Sequence, residues 1–121
     1  MSNKNQKTIL VVDDEVQILS LFQSLLEMEG FDVLVANSCD EGLDLLSKNS
    51  ISVILSDIRM PVHDGFYFLK KVKELKLDVD FYLISGDLEM QAEEVKKLGA
   101  IELFTKPNGF DQFLLKMKQE H

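Results

Sequence analysis

Five short apolar runs punctuate the chain, at Ile9–Val12, Phe31–Ala36, Val53–Leu55, Phe81–Ile84 and Ile101–Phe104. Their starts lie 22, 22, 28 and 20 residues apart, which leaves room in each interval for a strand, a short loop and a helix of about three turns. Ile9-Leu10-Val11-Val12 shows no polar alternation, the pattern of a strand covered on both faces in a parallel sheet. The intervening segments follow a helical period instead. Ile18, Leu21, Phe22, Leu25 and Leu26 make one apolar stripe, and Gly30 stops it. Ser38 and Glu41 form an S-x-x-E capping box ahead of Leu43, Leu45 and Leu46. Phe66, Leu69 and Val72 follow Asp64-Gly65, which reads as a loop and helix cap. Leu88, Ala92, Val95 and Leu98 precede Gly99, with Lys96 and Lys97 in the last turn, where the helix dipole favours cations. Phe110, Phe113, Leu114 and Met117 give the last helix an apolar face. Five βα units with no linker or low-complexity tract predict an open, doubly wound α/β sandwich with right-handed connections.

Length and composition narrow this further. A chain of 121 residues has the size of one domain, and 45% apolar residues are enough for a sizeable core. The net charge of −8 disfavours nucleic acid and anionic membrane as partners and is compatible with cation binding. Cys39 stands alone and cannot form an intramolecular disulfide. It is expected to pack on the second helix rather than react. The polar start and the shortness of Ile9–Val12 speak against a signal peptide, and no apolar stretch is long enough to span a bilayer. The expectation is a soluble, cytoplasmic domain.

In doubly wound sheets ligands bind outside the carboxyl ends of the strands. Those ends read Asp13-Asp14-Glu15, Ser56-Asp57, Ser85-Gly86-Asp87 and Thr105-Lys106-Pro107, while the second strand ends in a plain cap, Asn37-Ser38. Taken singly, each has an ordinary reading: an N-cap for the Asp pair, a turn for Asp57, a solvated lysine for Lys106, little information in Ser85. His63 reads as an exposed loop residue. Together they do not read as ordinary. Carboxylates about 5 Å apart repel by roughly 3 kcal/mol per pair at an effective dielectric near 20. A hard divalent cation such as Mg²⁺ offsets that repulsion. Acids, a lysine and a hydroxyl around such a cation suit phosphoryl transfer.

Val11-Val12-Asp13-Asp14-Glu15, the run Ser56-Asp57-Ile58-Arg59-Met60-Pro61-Val62-His63-Asp64-Gly65, Ser85-Gly86 and Thr105-Lys106-Pro107 resemble the receiver domain of bacterial two-component response regulators, including the chemotaxis-type single-domain regulators. The resemblance implies a flavodoxin-like (βα)5 three-layer sandwich over residues 8–121, behind a polar tail at 1–7, with no output domain in the chain. It implies that Asp57 is the phosphoacceptor, that Asp13, Asp14 and Asp57 bind Mg²⁺ with a backbone carbonyl from Arg59, and that Lys106 and Ser85 contact the phosphoryl group. It also implies a cis peptide bond before Pro107. The donor would be a sensor histidine kinase or a histidine phosphotransfer protein. The response would be a shift in the face built by the fourth helix, the fifth strand and the fifth helix. A carboxylate is already ionised at neutral pH and needs no general base to attack phosphorus. The chain would then be a signalling switch with only self-phosphorylation and autodephosphorylation chemistry, not a turnover enzyme.

Three departures and three rivals accompany this reading. Leu103 stands where the family usually has Tyr or Phe, with Phe104 one residue later and so on the opposite strand face. Gly86 leaves room beside the phosphoryl site, and Asn108 replaces a frequent apolar residue. Arg59 and Asp87, of opposite charge, could pair across the site and limit access of water. A haloacid-dehalogenase-type phosphatase also uses Asp, Mg²⁺ and lysine, but its nucleophile belongs to a D-x-D after the first strand. A flavin-binding module would need a phosphate loop where Asp13-Asp14-Glu15 stands. A docking-only pseudo-receiver would not need the full set of site residues, though Leu103 keeps it open on the output side.

Overall fold

All five apolar runs become strands of one sheet in the computed structural model, which describes residues 7–86, 96–105 and 109–120. The order along the chain is β1 (Thr8–Val12), α1 (Val16–Met28), β2 (Asp32–Ala36), α2 (Cys39–Lys48), β3 (Val53–Asp57), α3 (Gly65–Glu74), β4 (Asp80–Ser85), β5 (Glu102–Thr105) and α4 (Gly109–Glu120). The sheet runs β2-β1-β3-β4-β5, and every pairing is parallel. The chain first steps from β1 to β2 on one side, then crosses back to β3 on the other. The register sets Val12 beside both Ala36 and Ser56, Asp57 beside Ile84, and Ser85 beside Thr105, so the carboxyl ends share one edge.

Alternation along each strand divides the core into two layers. Ile9, Val11, Val53, Leu55, Tyr82, Ile84 and Phe104 pack against Leu19, Phe22 and Leu26 of α1 and Phe110, Phe113 and Met117 of α4. Leu10, Val12, Ile54, Phe81 and Leu83 face the other way, onto Cys39 and Leu46 of α2 and Phe68, Leu69 and Val72 of α3. Aromatic contacts reinforce the first layer. Phe22 and Phe110 stack with ring centroids 3.8 Å apart, and Tyr82 and Phe104 each meet Phe113 edge-on at 5.5 and 5.8 Å, arrangements that add to plain burial.

The helix signals operate as expected with two differences. Ser38 Oγ accepts from Glu41 N at 3.1 Å, but the Glu41 carboxylate reaches back to Asn37 N, at 2.7 Å, one residue before the cap. In α1 the stripe is centred on Leu19, Phe22 and Leu26, with Ile18 and Leu25 partly buried, while Leu21 points to solvent. An apolar side chain near the edge of the buried arc is indistinguishable by spacing from one inside it. Gly30 and Gly99 take φ of +94° and +104°, the left-handed region that ends a helix at little cost only for glycine. The helix expected around Leu88, Ala92 and Val95 lies outside the described residues, apart from helical Lys96 and Lys97.

Candidate functional site

β1 lies between β2 and β3, so the switch in strand order falls at the β1/β3 junction, where a crevice opens in folds of this kind. Asp13 follows β1 and Asp57 ends β3. Both are buried, Asp13 fully and Asp57 6% exposed, while Asp14 faces solvent. Carboxylate oxygens of Asp13, Asp14 and Asp57 all lie within 4.8 Å of one another. The N-cap reading of the Asp pair fails: α1 begins at Val16 and its N-cap is Glu15, whose side chain makes no capping bond. Asp13 Oδ1 accepts from Glu15 N at 2.9 Å, a local turn that holds the carboxylate at the strand end.

Asp57 is held through its main chain. It is paired in register with Ile84, and Ile58 N donates to Ile84 O at 3.2 Å. Ser56 Oγ donates to Asp57 O at 2.9 Å. The start of α3 closes against the same strand, with Gly65 N donating to Ile58 O at 2.7 Å. A Cβ on Gly65 would stand 2.5 Å from Asp57 O and 2.9 Å from Ile58 Cα, so only glycine permits this approach. Spacing marks Gly65 only as a turn residue, because its second role lies in a tertiary contact with β3. Asp64 caps α3 by accepting from Tyr67 N at 2.9 Å, as expected.

Ser85 ends β4, buried, one residue beyond the partner of Asp57, and so sits on the same edge as the acids. Arg59 follows in the loop with its side chain exposed. Lys106, Pro107, Asp87 and Asn108 lie outside the described residues, and with them the lysine, the peptide bond before Pro107 and any Arg59–Asp87 pair. Phe104 is buried in the α1/α4 layer whereas Leu103, half-buried, packs on the opposite layer, so the two occupy different faces as the strand period requires.

The β3–α3 loop differs from expectation. His63 is half-buried rather than exposed: its ring tilts against Tyr67 with centroids 3.9 Å apart, and its buried Nδ1 has no hydrogen-bond partner among the described residues. Val62 beside it has φ of +69° and is 93% exposed, a strained conformation for a β-branched residue. Cys39 is buried at the start of α2. Burial first, then the charges of Asp40 and Asp64, push its thiol up from 9.0 to about 11, which makes it a packing residue and not a nucleophile at neutral pH.

Residues 9–118 match the family model described as response regulator receiver domain. The transcriptional regulatory protein CpxR of Escherichia coli (strain K12) is 37% identical over 99 residues, covering 82% of this chain and 42% of CpxR. The chain spans about half the length, or less, of the curated relatives it matches. Among solved structures, the receiver domain of the Francisella response regulator 1452 superposes with a TM-score of 0.86 at 28% identity, covering 94% of this chain and 95% of that one. The response regulator TrrA of Thermotoga maritima, solved in complex with Mg²⁺ and BeF, gives 0.83 at 27% identity, covering 94% and 98%.

Proposed function

The chain belongs to the response regulator receiver domain family, and on that premise we propose that Asp57 accepts a phosphoryl group from a phosphohistidine of a sensor kinase or histidine phosphotransfer protein. The observation that carries this reading is the buried Asp57 carboxylate, within 4.8 Å of the Asp13 and Asp14 carboxylates at the β1/β3 junction. In the transfer an Asp57 oxygen attacks phosphorus, the O–P bond forms and the N–P bond breaks, and the imidazole keeps the electron pair. Burial of Asp57 limits the approach of competing water.

Three carboxylates in this arrangement fit a hard cation of the Mg²⁺ class, which is the ion in the related TrrA complex. Asp14 and Asp57 would hold it directly, with Asp13 acting through water and the Arg59 backbone carbonyl completing the protein's share. When bound, Mg²⁺ supplies the positive charge that offsets the repulsion among the acids and the charge of the incoming phosphoryl group. Ser85 donates its hydroxyl to the phosphoryl oxygen, and Lys106 is assigned a second contact from the end of β5.

The response passes to the surface around β5 and α4, with Leu103 in place of an aromatic. Leu103 and Phe104 point to opposite layers, so an aromatic rotation at Leu103 is replaced by repacking of a smaller side chain. The domain is a switch whose only chemistry is its own phosphorylation and dephosphorylation, and its output is made by contact with a protein target and not with nucleic acid, in keeping with its charge of −8.

Intact-mass measurement after incubation with acetyl phosphate, with and without Mg²⁺, tests this. One phosphoryl group is expected on the wild type, only with Mg²⁺, and none on Asp57→Ala. Modification that persists in Asp57→Ala would overturn the assignment, and steady release of phosphate from a generic phosphate ester would instead identify a phosphatase.

A further inference from the structure

Away from the phosphoryl site, one region runs against the charge of the rest of the chain. Residues 70–76 and 96–99 carry six lysines (Lys70, Lys71, Lys73, Lys76, Lys96 and Lys97) against a single carboxylate, Glu74, in a chain with 13 basic residues in all and a net charge of −8. The two segments are neighbours in space. A Cβ on Gly99 would come within 2.6 Å of Lys73 Cε, so the Lys73 side chain lies along the turn at Gly99. Between them runs an open groove of about 710 Å³, walled by Phe66, Tyr67 and Leu69 on the α3 side and Leu98 on the other, with Lys70, Lys73 and Glu74 on its rim. Leu98 is 54% exposed, and Leu75 and Ile101 nearby are exposed as well. Glu74 adds little repulsion to this rim, because Lys71 Nζ approaches its carboxylate at 3.5 Å.

A face of lysines alone would be an ordinary solvated surface. Here the lysines border exposed apolar side chains, the arrangement that marks an interaction site. We propose that this groove docks an acidic amphipathic helix of a partner protein, its apolar stripe on Phe66, Tyr67 and Leu98 and its carboxylates on Lys70 and Lys73. The groove follows a helix and not a strand edge, so it offers no ladder of backbone groups to an extended peptide, whereas apolar anchors at i, i+3, i+4 and i+7 fit it. Charge complementarity selects an acidic partner. A long polyanion or an anionic bilayer meets the repulsion of the remaining acidic surface and gains nothing from the apolar walls. None of Asp13, Asp14, Asp57 or Ser85 lines the groove, so a partner can sit here while the phosphoryl site stays open.

The test is an NMR titration of the ¹⁵N-labelled full chain with a synthetic Glu/Leu helix carrying Leu at i, i+3, i+4 and i+7, beside a scrambled peptide of the same composition. Shifts confined to Tyr67, Lys70, Lys73, Leu98 and their neighbours are expected, with the scrambled peptide at least tenfold weaker. Lys73→Glu combined with Leu98→Glu should weaken binding tenfold or more, while phosphorylation by acetyl phosphate stays at the wild-type rate. Lys70→Glu, a single change at an exposed position, serves the same purpose if the double variant fails to fold. Equal binding of the scrambled peptide, shifts elsewhere on the surface, or variants that bind as well as wild type would overturn the proposal. So would self-association through these residues, or tighter binding to phosphatidylserine vesicles or duplex DNA than to the helix.

Discussion

Asp14 is the exposed member of a cluster whose other two carboxylates are buried. That asymmetry makes it the position at which charge can be removed with least disturbance to packing. Asp14→Asn keeps the shape and deletes one charge, so without metal it should stabilise the fold by about 1 kcal/mol. The nominal pair repulsion of roughly 3 kcal/mol is reduced by solvent screening. Mg²⁺ should then raise the melting temperature of wild type more than that of Asp14→Asn, as read by thermal denaturation with and without the ion. An equal rise in both would remove Asp14 from the set of metal ligands. The positions of Asp13, Asp14, Asp57 and Ser85 at one sheet edge were legible in the sequence because each follows or ends an apolar run. Val62 and His63 were not. The positive φ of Val62 and the packing of His63 on Tyr67 follow from how the loop closes between β3 and α3, a tertiary constraint that local composition does not encode.

At the level of elements, strands were more legible than helix faces. The inner strands β1, β3 and β4 are buried on both sides and therefore appear as apolar runs, whereas a helix buries only an arc. Leu19 falls inside the buried arc of α1 and Leu21 outside it, because the arc's edges are set by the neighbouring elements and not by spacing alone. Strand order was not legible at all from periodicity. It had to come through the family resemblance, and the β2-β1-β3-β4-β5 order bears that out. The junction of β3 with α3 illustrates how elements position the site. Gly65→Ala would drive a methyl group into Asp57 O and Ile58 Cα, atoms of the main chain that cannot rotate away. A loss of about 2–3 kcal/mol is expected, measurable as a lower urea midpoint, together with slower phosphorylation of Asp57 by acetyl phosphate. A variant that matches wild type in both would show that α3 can shift without cost.

Across the whole molecule, two core layers separated by one sheet keep ionisable groups neutral at opposite sides of the fold. Burial raises Cys39 from 9.0 to about 11 in the α2/α3 layer, and raises Tyr82 from 10.0 to about 12 in the α1/α4 layer. In both cases the unfolded chain ionises first. Stability is therefore full below about pH 9, declines between pH 9 and 11 as unfolded Cys39 loses its proton, and declines further between 10 and 12 through Tyr82. Urea midpoints measured over this range should show the fall, and Cys39→Ala should remove its first part. Among the described residues no helix is long and apolar enough to cross a membrane. The acidic cluster draws all three carboxylates from the chain up to Asp57, whereas Ser85 and the strand bearing Leu103 come after α3. A genetic crossover within α3 would thus inherit the whole carboxylate set from one parent and β4 and β5 from the other. Recombination of halves would keep the acidic cluster intact while exchanging the Ser85 hydroxyl that faces the same edge.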